Sequence, residues 1–241
     1  MNKFALSVRP VVTVLAAGLA LASPALAQVH ETDVIVRIVQ GRLETGRVEA
    51  GQPVFPRQVN GSTLGLIGIP NVSTDPGFDS PAGTFTPGQV VGLSLRRALR
   101  KWDGAGFSTI PAERLQVVKG QSSITTPEAD PTAGSPSGSL ILGVATSSGR
   151  LHEHPAWVLL SPASAGVYMV ELELWMTAPG TGTSEPVWIL LNQNAPPAVY
   201  DEAFAWADAN VRSITCVANC DGSTGSPVLT PADFVCFRGF G

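Results

Sequence analysis

The feature that most restricts the fold is the frequency with which glycine and proline interrupt the apolar segments. The chain of 241 residues contains 25 Gly and 20 Pro, and turn-forming residues recur roughly every ten positions, which is typical of β-sandwiches. The segment 166–176 (Gly-Val-Tyr-Met-Val-Glu-Leu-Glu-Leu-Trp-Met) is the clearest alternating strand. A helical period occurs only in 200–211. We therefore predict a mainly β protein, an antiparallel β-sandwich or jelly roll with one C-terminal helix.

Further strands are predicted wherever short β-prone runs lie between turns. A first strand running to about residue 39 and a second over 42–49 read as a hairpin, because Gly41 separates them. The other predicted strands cover 64–69, 115–118, 122–126, 140–145, 151–159 and 187–192. The turn-rich segment 70–88 is predicted to be an ordered loop.

The first 27 residues have the pattern of a signal peptide. Lys3 and Arg9 precede an apolar core over 11–22, and Ser-Pro-Ala-Leu-Ala supplies a cleavage site before Gln28. This predicts a secreted or extracytoplasmic protein, at the cell surface or in the periplasm. No later segment is long enough to span a bilayer, so no transmembrane span is expected in the mature chain. We divide the remainder into a β-sandwich domain (28–195), a helix and linker (196–212) and a tail (213–241).

Charge gives no indication of a nucleic-acid partner. Charged residues make up 14% of the chain, and the formal net charge is −4. No basic cluster of the kind that tracks a phosphate backbone is present. The composition therefore favours an exported protein without nucleic acid as a partner.

His152 and His154 form the motif that points most clearly to a binding site. On a strand, side chains two residues apart leave the same face, so both imidazoles would point the same way. Neutral imidazole is a common ligand of zinc, and this spacing suits a transition-metal site. The same spacing also occurs on ordinary solvated strand faces, and that alternative stays open.

The main domain resembles a family of secreted bacterial β-sandwich proteins. The resemblance is carried by His-x-His-Pro-x-Trp, then Pro-x-x-x-Gly-Val-Tyr-x-x-x-Leu-x-Leu, then Ser-Glu-Pro-Val-Trp-Ile-Leu-Leu-Asn, and it covers roughly residues 28–195. Such proteins often carry a PEP-CTERM sorting signal, and some are controlled by the zinc-uptake repressor. The resemblance implies a β-sandwich with an extracytoplasmic metal-binding role, zinc favoured. This chain lacks the PEP-CTERM tail.

An early histidine before an Asp-Val strand recurs in that family and corresponds here to His30. If His30 lies beside the strand of His152 and His154, three imidazoles converge and leave an open fourth position. Glu171 or Glu173 on the following strand could complete the set, whereas Glu153 would face away. The alternative is that His30 is a terminal residue without a role.

The tail concentrates all three cysteines, Cys216, Cys220 and Cys236. An odd number of cysteines in an exported protein suggests a free thiol or an intermolecular disulfide, and the pairing is not determined by the sequence. Asn-Cys-Asp-Gly-Ser-Thr, followed by Asp-Phe-Val-Cys-Phe, resembles one repeat of a cysteine-containing dockerin, a short EF-hand-like module.

The dockerin resemblance implies a weak calcium site and a cell-surface or cohesin-like partner. The oxygen ligands would follow EF-hand spacing, with a closing carboxylate at the end of the loop. The candidate ligands are Asp221, Ser223, Ser226, Thr230 and Asp233. The chain departs from the pattern in having a single repeat and Pro227 at the position of the turn glycine. An unmetallated tail is the alternative.

Three functions from different classes are compatible with these patterns. The favoured one is a non-enzymatic exported protein that binds zinc and is displayed through its tail. The second is a cupin-like metalloenzyme, although the glycine spacing and the following glutamate expected of cupins are missing. The third is a metal-free structural or adhesive surface module. No catalytic residues are assigned, because the sequence contains no nucleophile elbow, phosphate loop or zincin helix.

Overall fold

A computed structural model describes residues 32–132, 136–177 and 182–211. Within these ranges the chain forms short strands followed by one helix. The strands are Val34–Val39 (β1), Arg42–Glu49 (β2), Gln52–Val54 (β3), Val59–Thr63 (β4), Val72–Ser73 (β5), Phe78–Asp79 (β6), Val90–Leu95 (β7), Arg100–Lys101 (β8), Leu115–Lys119 (β9), Ser122–Thr125 (β10), Gly138–Val144 (β11), His152–Glu153 (β12), Ala156–Leu159 (β13), Gly166–Met176 (β14) and Val187–Gln193 (β15). The helix is Pro197–Asn210 (α1).

The strands associate into three sheets. One has the order β12-β6-β1-β2-β3, the second β10-β9-β13-β5, and the third β11-β7-β14-β15-β4, with β8 also pairing to β14. Most pairs are antiparallel, but β1 with β6 and β15 with β4 are parallel. The predicted mainly β class is confirmed. Each parallel pair joins two strands that are far apart in the sequence.

The hairpin and the long alternating strand lie where the sequence predicts them. β1 and β2 pair antiparallel, with Val39 opposite Arg42 across Gly41. β14 lies at the centre of its sheet between β7 and β15. One face of this strand contributes to the sandwich core, and Val167 and Met169 on the other face pack under the helix.

The predicted strand over 64–69 is wrong. This segment is a turn-rich loop, since Gly65 and Gly68 adopt φ angles of +87° and +80°, which strands do not use. Its backbone closes on itself through a hydrogen bond from the Gly65 N–H to the Val72 carbonyl. Leu66, which is 75% exposed, points into solvent.

The main core lies between the sheets and contains residues from all three, with Phe78, Leu115 and Trp157 fully buried. Tyr168 adds a feature that is common in β-sandwiches. Its hydroxyl donates a hydrogen bond to the Ser164 carbonyl four residues upstream, at 2.8 Å. This bond anchors the turn that leads into β14.

A second core forms between α1 and the outer face of the third sheet. Ala203 and Ala207 are completely buried there against residues such as Trp188. The predicted helix is confirmed, but it begins at Pro197, because the fixed φ of proline suits a first helical position. Within the described residues no helix combines the length and apolar character needed to cross a membrane.

Candidate metal centre

The site forms where β6 lies between β1 and β12. β6 pairs parallel with β1, with Val34 opposite Phe78, and antiparallel with β12, with His152 opposite Asp79. The residue before β1 is Asp33, so this pairing brings Asp33 close to the histidine motif. Three segments that are distant in the sequence therefore meet at one end of this sheet.

The histidine segment is not the single strand predicted over 151–159. β12 ends at Glu153 and β13 begins at Ala156 in a different sheet. Pro155 causes the break, because it has no backbone N–H and restricts the conformation of His154. The two imidazoles nevertheless face each other, with ring centroids 5.0 Å apart.

Trp157 fixes the turn against which His154 packs. Its side chain is fully buried, and its indole N–H donates a hydrogen bond to the Pro76 carbonyl at 3.0 Å. The segment from Thr74 to Gly77 is thereby held next to the His154 ring. This contact gives the Trp of the His-x-His-Pro-x-Trp motif a positioning role.

Asp33, His152 and His154 each present one ligand atom to a common point. The two Nε2 atoms lie 3.2 Å apart, and His154 Nε2 lies 3.8 Å from Asp33 Oδ2. All three donor atoms lie within 4.8 Å of one another. Asp33 is fully buried, whereas the side chains of His152 and His154 are 34% and 25% exposed. This group could hold a metal ion that is reached from solvent.

The far side of the His154 ring faces hydrogen-bond acceptors. Its Nδ1 lies 3.0 Å from the Thr74 carbonyl oxygen and 3.3 Å from Asp75 Oδ1. A carbonyl accepts and never donates, so Nδ1 carries the proton of the neutral ring. The lone pair of Nε2 then points into the site.

The far side of the His152 ring meets a buried ion pair. Its Nδ1 lies 3.2 Å from Arg150 Nη2 and 3.4 Å from Asp79 Oδ2. Arg150 binds Asp79 through two hydrogen bonds, with Nε–Oδ1 at 2.8 Å and Nη2–Oδ2 at 2.6 Å. This bidentate geometry holds the carboxylate in a fixed position beside the ring.

The charges around the rings favour a cation. Burial alone raises the pKa of Asp79, but the hydrogen bonds and charge of Arg150 outweigh burial and bring the pKa below its ordinary value. Among the described residues, the carboxylates of Asp33, Asp75 and Asp79 and the guanidinium of Arg150 lie beside the histidine rings. With neutral imidazoles this leaves a surplus of negative charge.

Gly77 is required by the space that His154 occupies. A Cβ at this position would lie 2.5 Å from His154 Cε1 and 2.8 Å from Asp33 Oδ1. The Gly77 N–H also donates a hydrogen bond to Asp33 Oδ1 at 3.0 Å. One residue therefore both admits the imidazole and orients the carboxylate.

The structure places the predicted ligands in different parts of the molecule. His152 and His154 come together as predicted, and Glu153 faces away and pairs with Lys119. Glu171 and Glu173 lie on β14, where they pair with Arg97 and Arg96. Neither glutamate belongs to the donor cluster within the described ranges. The carboxylate of the site is Asp33 instead.

Several predicted site residues lie outside the described residues. They are His30, the calcium candidates Asp221, Ser223, Ser226, Thr230 and Asp233, and the three cysteines. The boundaries of the signal peptide and of the dockerin-like tail lie there as well.

The sequence interpretation missed Asp33, Asp75 and Asp79. Asp33 lies in the His-Glu-Thr-Asp-Val segment, in which His30 was the predicted ligand. The other two lie in the turn-rich stretch that was predicted to be a loop. A signal did exist, because an aspartate directly before an apolar strand is a candidate for burial with a specific partner.

No protein-family model, no curated protein and no solved structure matches the chain. The two family resemblances therefore stay predictions.

Proposed function

We propose that this protein binds a divalent transition metal, with zinc favoured, through Asp33, His152 and His154. The observation that carries the proposal is the 3.2 Å separation of the two Nε2 atoms. Two ligands of a tetrahedral zinc ion with bonds of about 2.0–2.1 Å lie about 3.3 Å apart. The imidazoles already have that separation, and Asp33 Oδ2, 3.8 Å from His154 Nε2, would have to move closer to complete the set.

The donor types favour zinc over softer ions. The donors that the described residues supply are two imidazole nitrogens and one carboxylate oxygen, a set that suits zinc. The resemblance to proteins controlled by a zinc-uptake repressor points in the same direction. The surplus of carboxylates supports a dication in preference to a monovalent ion.

A tetrahedral ion would have a fourth position, for which His30 is the proposed ligand. His30 precedes Asp33 by three residues, and three Cα–Cα steps span at most about 11 Å. That reach is sufficient to bring an imidazole to the site. A water molecule is the alternative fourth ligand.

We further propose that the protein is exported and non-enzymatic, and that it is displayed through its tail. The N-terminal pattern supports export, and the dockerin-like pattern supports a weak calcium site that docks on a cohesin-like partner at the cell surface. These parts of the proposal depend on the sequence alone. Calcium binding that is lost in an Asp221→Asn, Asp233→Asn double variant would test the tail independently of the zinc site.

A metalloenzyme is the second candidate, because the third donor is a carboxylate and not a third histidine. Two histidines and one carboxylate also make up open catalytic zinc sites and non-haem iron sites. A catalytic activity that requires the bound ion and is lost in the His152→Ala, His154→Ala double variant would favour this candidate. A metal-free surface module is favoured if neither ion binds.

The proposed function is tested by titrating zinc into the full chain, produced without affinity histidines and treated with a chelator. We expect about one equivalent to bind, and we expect a His152→Ala, His154→Ala double variant to lose binding. Glu171→Gln serves as the control, because it removes an acid on β14 and should leave binding unchanged. His30→Ala should weaken binding if His30 is the fourth ligand. An unmodified chain that binds no zinc refutes the proposal.

A further inference from the structure

The hydrogen bonds around the two rings assign a different tautomer to each histidine. Arg150 Nη2 only donates, so His152 Nδ1 accepts from it at 3.2 Å, and the proton of the neutral His152 ring lies on Nε2. That Nε2–H donates to the lone pair of His154 Nε2 at 3.2 Å. His154 then donates from Nδ1 to the Thr74 carbonyl. Each of these three bonds then has one donor and one acceptor.

A metal ion between the two Nε2 atoms requires a different arrangement at His152. A ligating nitrogen must offer its lone pair, so the proton of neutral His152 has to lie on Nδ1. Once it is protonated, His152 Nδ1 can no longer accept a hydrogen bond from Arg150, and its N–H needs an acceptor of its own. Asp79 Oδ2 is in place, 3.4 Å from Nδ1. His154 needs no change, since its proton already lies on Nδ1.

We propose that Asp79 is the positioning residue of the metal site and that metal binding changes the tautomer of His152. The proton of the neutral ring moves from Nε2 to Nδ1 by exchange with solvent, so the ring charge does not change. His152 Nδ1 exchanges the hydrogen bond from Arg150 for one to Asp79, while Arg150 keeps its bonds to Asp79. This inference rests on the proposed function, and it adds a residue outside the group of three donors.

The geometry explains why this role belongs to Asp79. It is buried, and two hydrogen bonds from Arg150 and one from the Ser80 N–H fix its oxygens. A fixed carboxylate behind a ligating imidazole selects the tautomer and orients the ring. Asp75 faces His154 in a similar way, but it is more exposed and the Thr74 carbonyl already serves that ring.

The first test is the tautomer of each histidine, measured by long-range proton–nitrogen NMR on the nitrogen-15-labelled full chain at about pH 8, where histidine is ordinarily neutral. Without metal, we expect His152 to carry its proton on Nε2 and His154 on Nδ1. With one equivalent of zinc, both rings should carry it on Nδ1. A His152 ring that is already protonated on Nδ1 without metal, or that binds zinc through Nδ1, would overturn the inference.

The second test compares Asp79→Asn with Glu173→Gln. The first change weakens the acceptor behind His152 and should reduce zinc affinity by about 10- to 100-fold. The second removes the charge of another largely buried carboxylate, which pairs with Arg96 at 2.8 Å on β14, and should leave the affinity unchanged. Equal affinity of Asp79→Asn and the unmodified chain refutes the positioning role. If Asp79→Asn does not fold, the tautomers of the unmodified chain decide.

The two proposals fail in different ways. Zinc binding without a change at His152 refutes only the change of tautomer, and zinc binding that is unaffected by Asp79→Asn refutes only the role of Asp79. An unmodified chain that binds no zinc refutes the proposed function and this inference together.

Discussion

Replacing Gly77 by alanine would place a methyl group in the space that His154 now occupies. The added Cβ would lie 2.5 Å from His154 Cε1, 2.6 Å from His154 Nδ1 and 2.8 Å from Asp33 Oδ1. Carbon atoms in contact ordinarily lie about 3.5–4.0 Å apart. The ring or the backbone would therefore have to move by about 1 Å.

That displacement is large compared with what a metal site tolerates. Ligand distances have to lie within about 0.2 Å of their ideal values, so a shift of about 1 Å removes His154 from coordination or costs the energy needed to restore it. We expect Gly77→Ala to lose zinc affinity to about the same extent as His154→Ala, although it removes no donor atom. Overpacking should also lower the free energy of unfolding of the metal-free protein by about 1–3 kcal/mol.

The assay is zinc titration by calorimetry, together with urea unfolding in the presence of a chelator. Gly138→Ala provides the control, because a Cβ at that strand position would lie 3.4 Å from Ile124, which is an ordinary contact. It should change the affinity for zinc by less than twofold. Gly77→Ala protein that is folded and binds zinc with unchanged affinity would show that His154 is not a ligand in the observed position.

Three further predictions concern stability. Tyr168→Phe removes the hydrogen bond to the Ser164 carbonyl and should lower the free energy of unfolding by about 1 kcal/mol, measured by urea unfolding; an unchanged value would contradict this. Burial raises the pKa of Glu113, but hydrogen bonds from Ser164 outweigh it and bring the pKa below its ordinary value of 4.5. Its contribution to stability is therefore complete above pH 4.5 and is lost as pH falls through the lower folded value. Glu113→Gln should be destabilising at pH 7, and its difference from the unmodified chain should shrink below pH 4.5; a difference that is constant with pH would refute this. The buried Asn60 Nδ2 has no hydrogen-bond partner among the described residues, so Asn60→Val should raise the free energy of unfolding by about 1 kcal/mol, and a decrease would contradict the argument.

Local patterns were sufficient for much of the secondary structure. The alternation over 166–176 and the Gly41 turn predicted β14 and the first hairpin, because side-chain period and turn chemistry act between near neighbours. The prediction of a strand over 64–69 was wrong, also for a local reason. Its apolar composition favoured a strand, but two glycines with positive φ turned the backbone.

The sequence predicted the histidine pair of the candidate site but not its carboxylate. His152 and His154 lie two residues apart, so their proximity follows from the local chain. Pro155 changed the expected strand, yet the two rings stayed close. The carboxylate was predicted wrongly. Glu171 and Glu173 were chosen because they lie on the strand that follows the histidine motif.

The sequence by itself determined a mainly β chain with one late helix and the proximity of two histidines that could serve as metal ligands. Only the tertiary structure decided that Asp33 completes the group and that Asp79 lies behind His152. The physical reason is the parallel insertion of β6 beside β1. Because β6 also pairs with β12, it brings Asp33 close to His152, which lies 119 residues later in the chain, and no local period of side chains specifies such a contact.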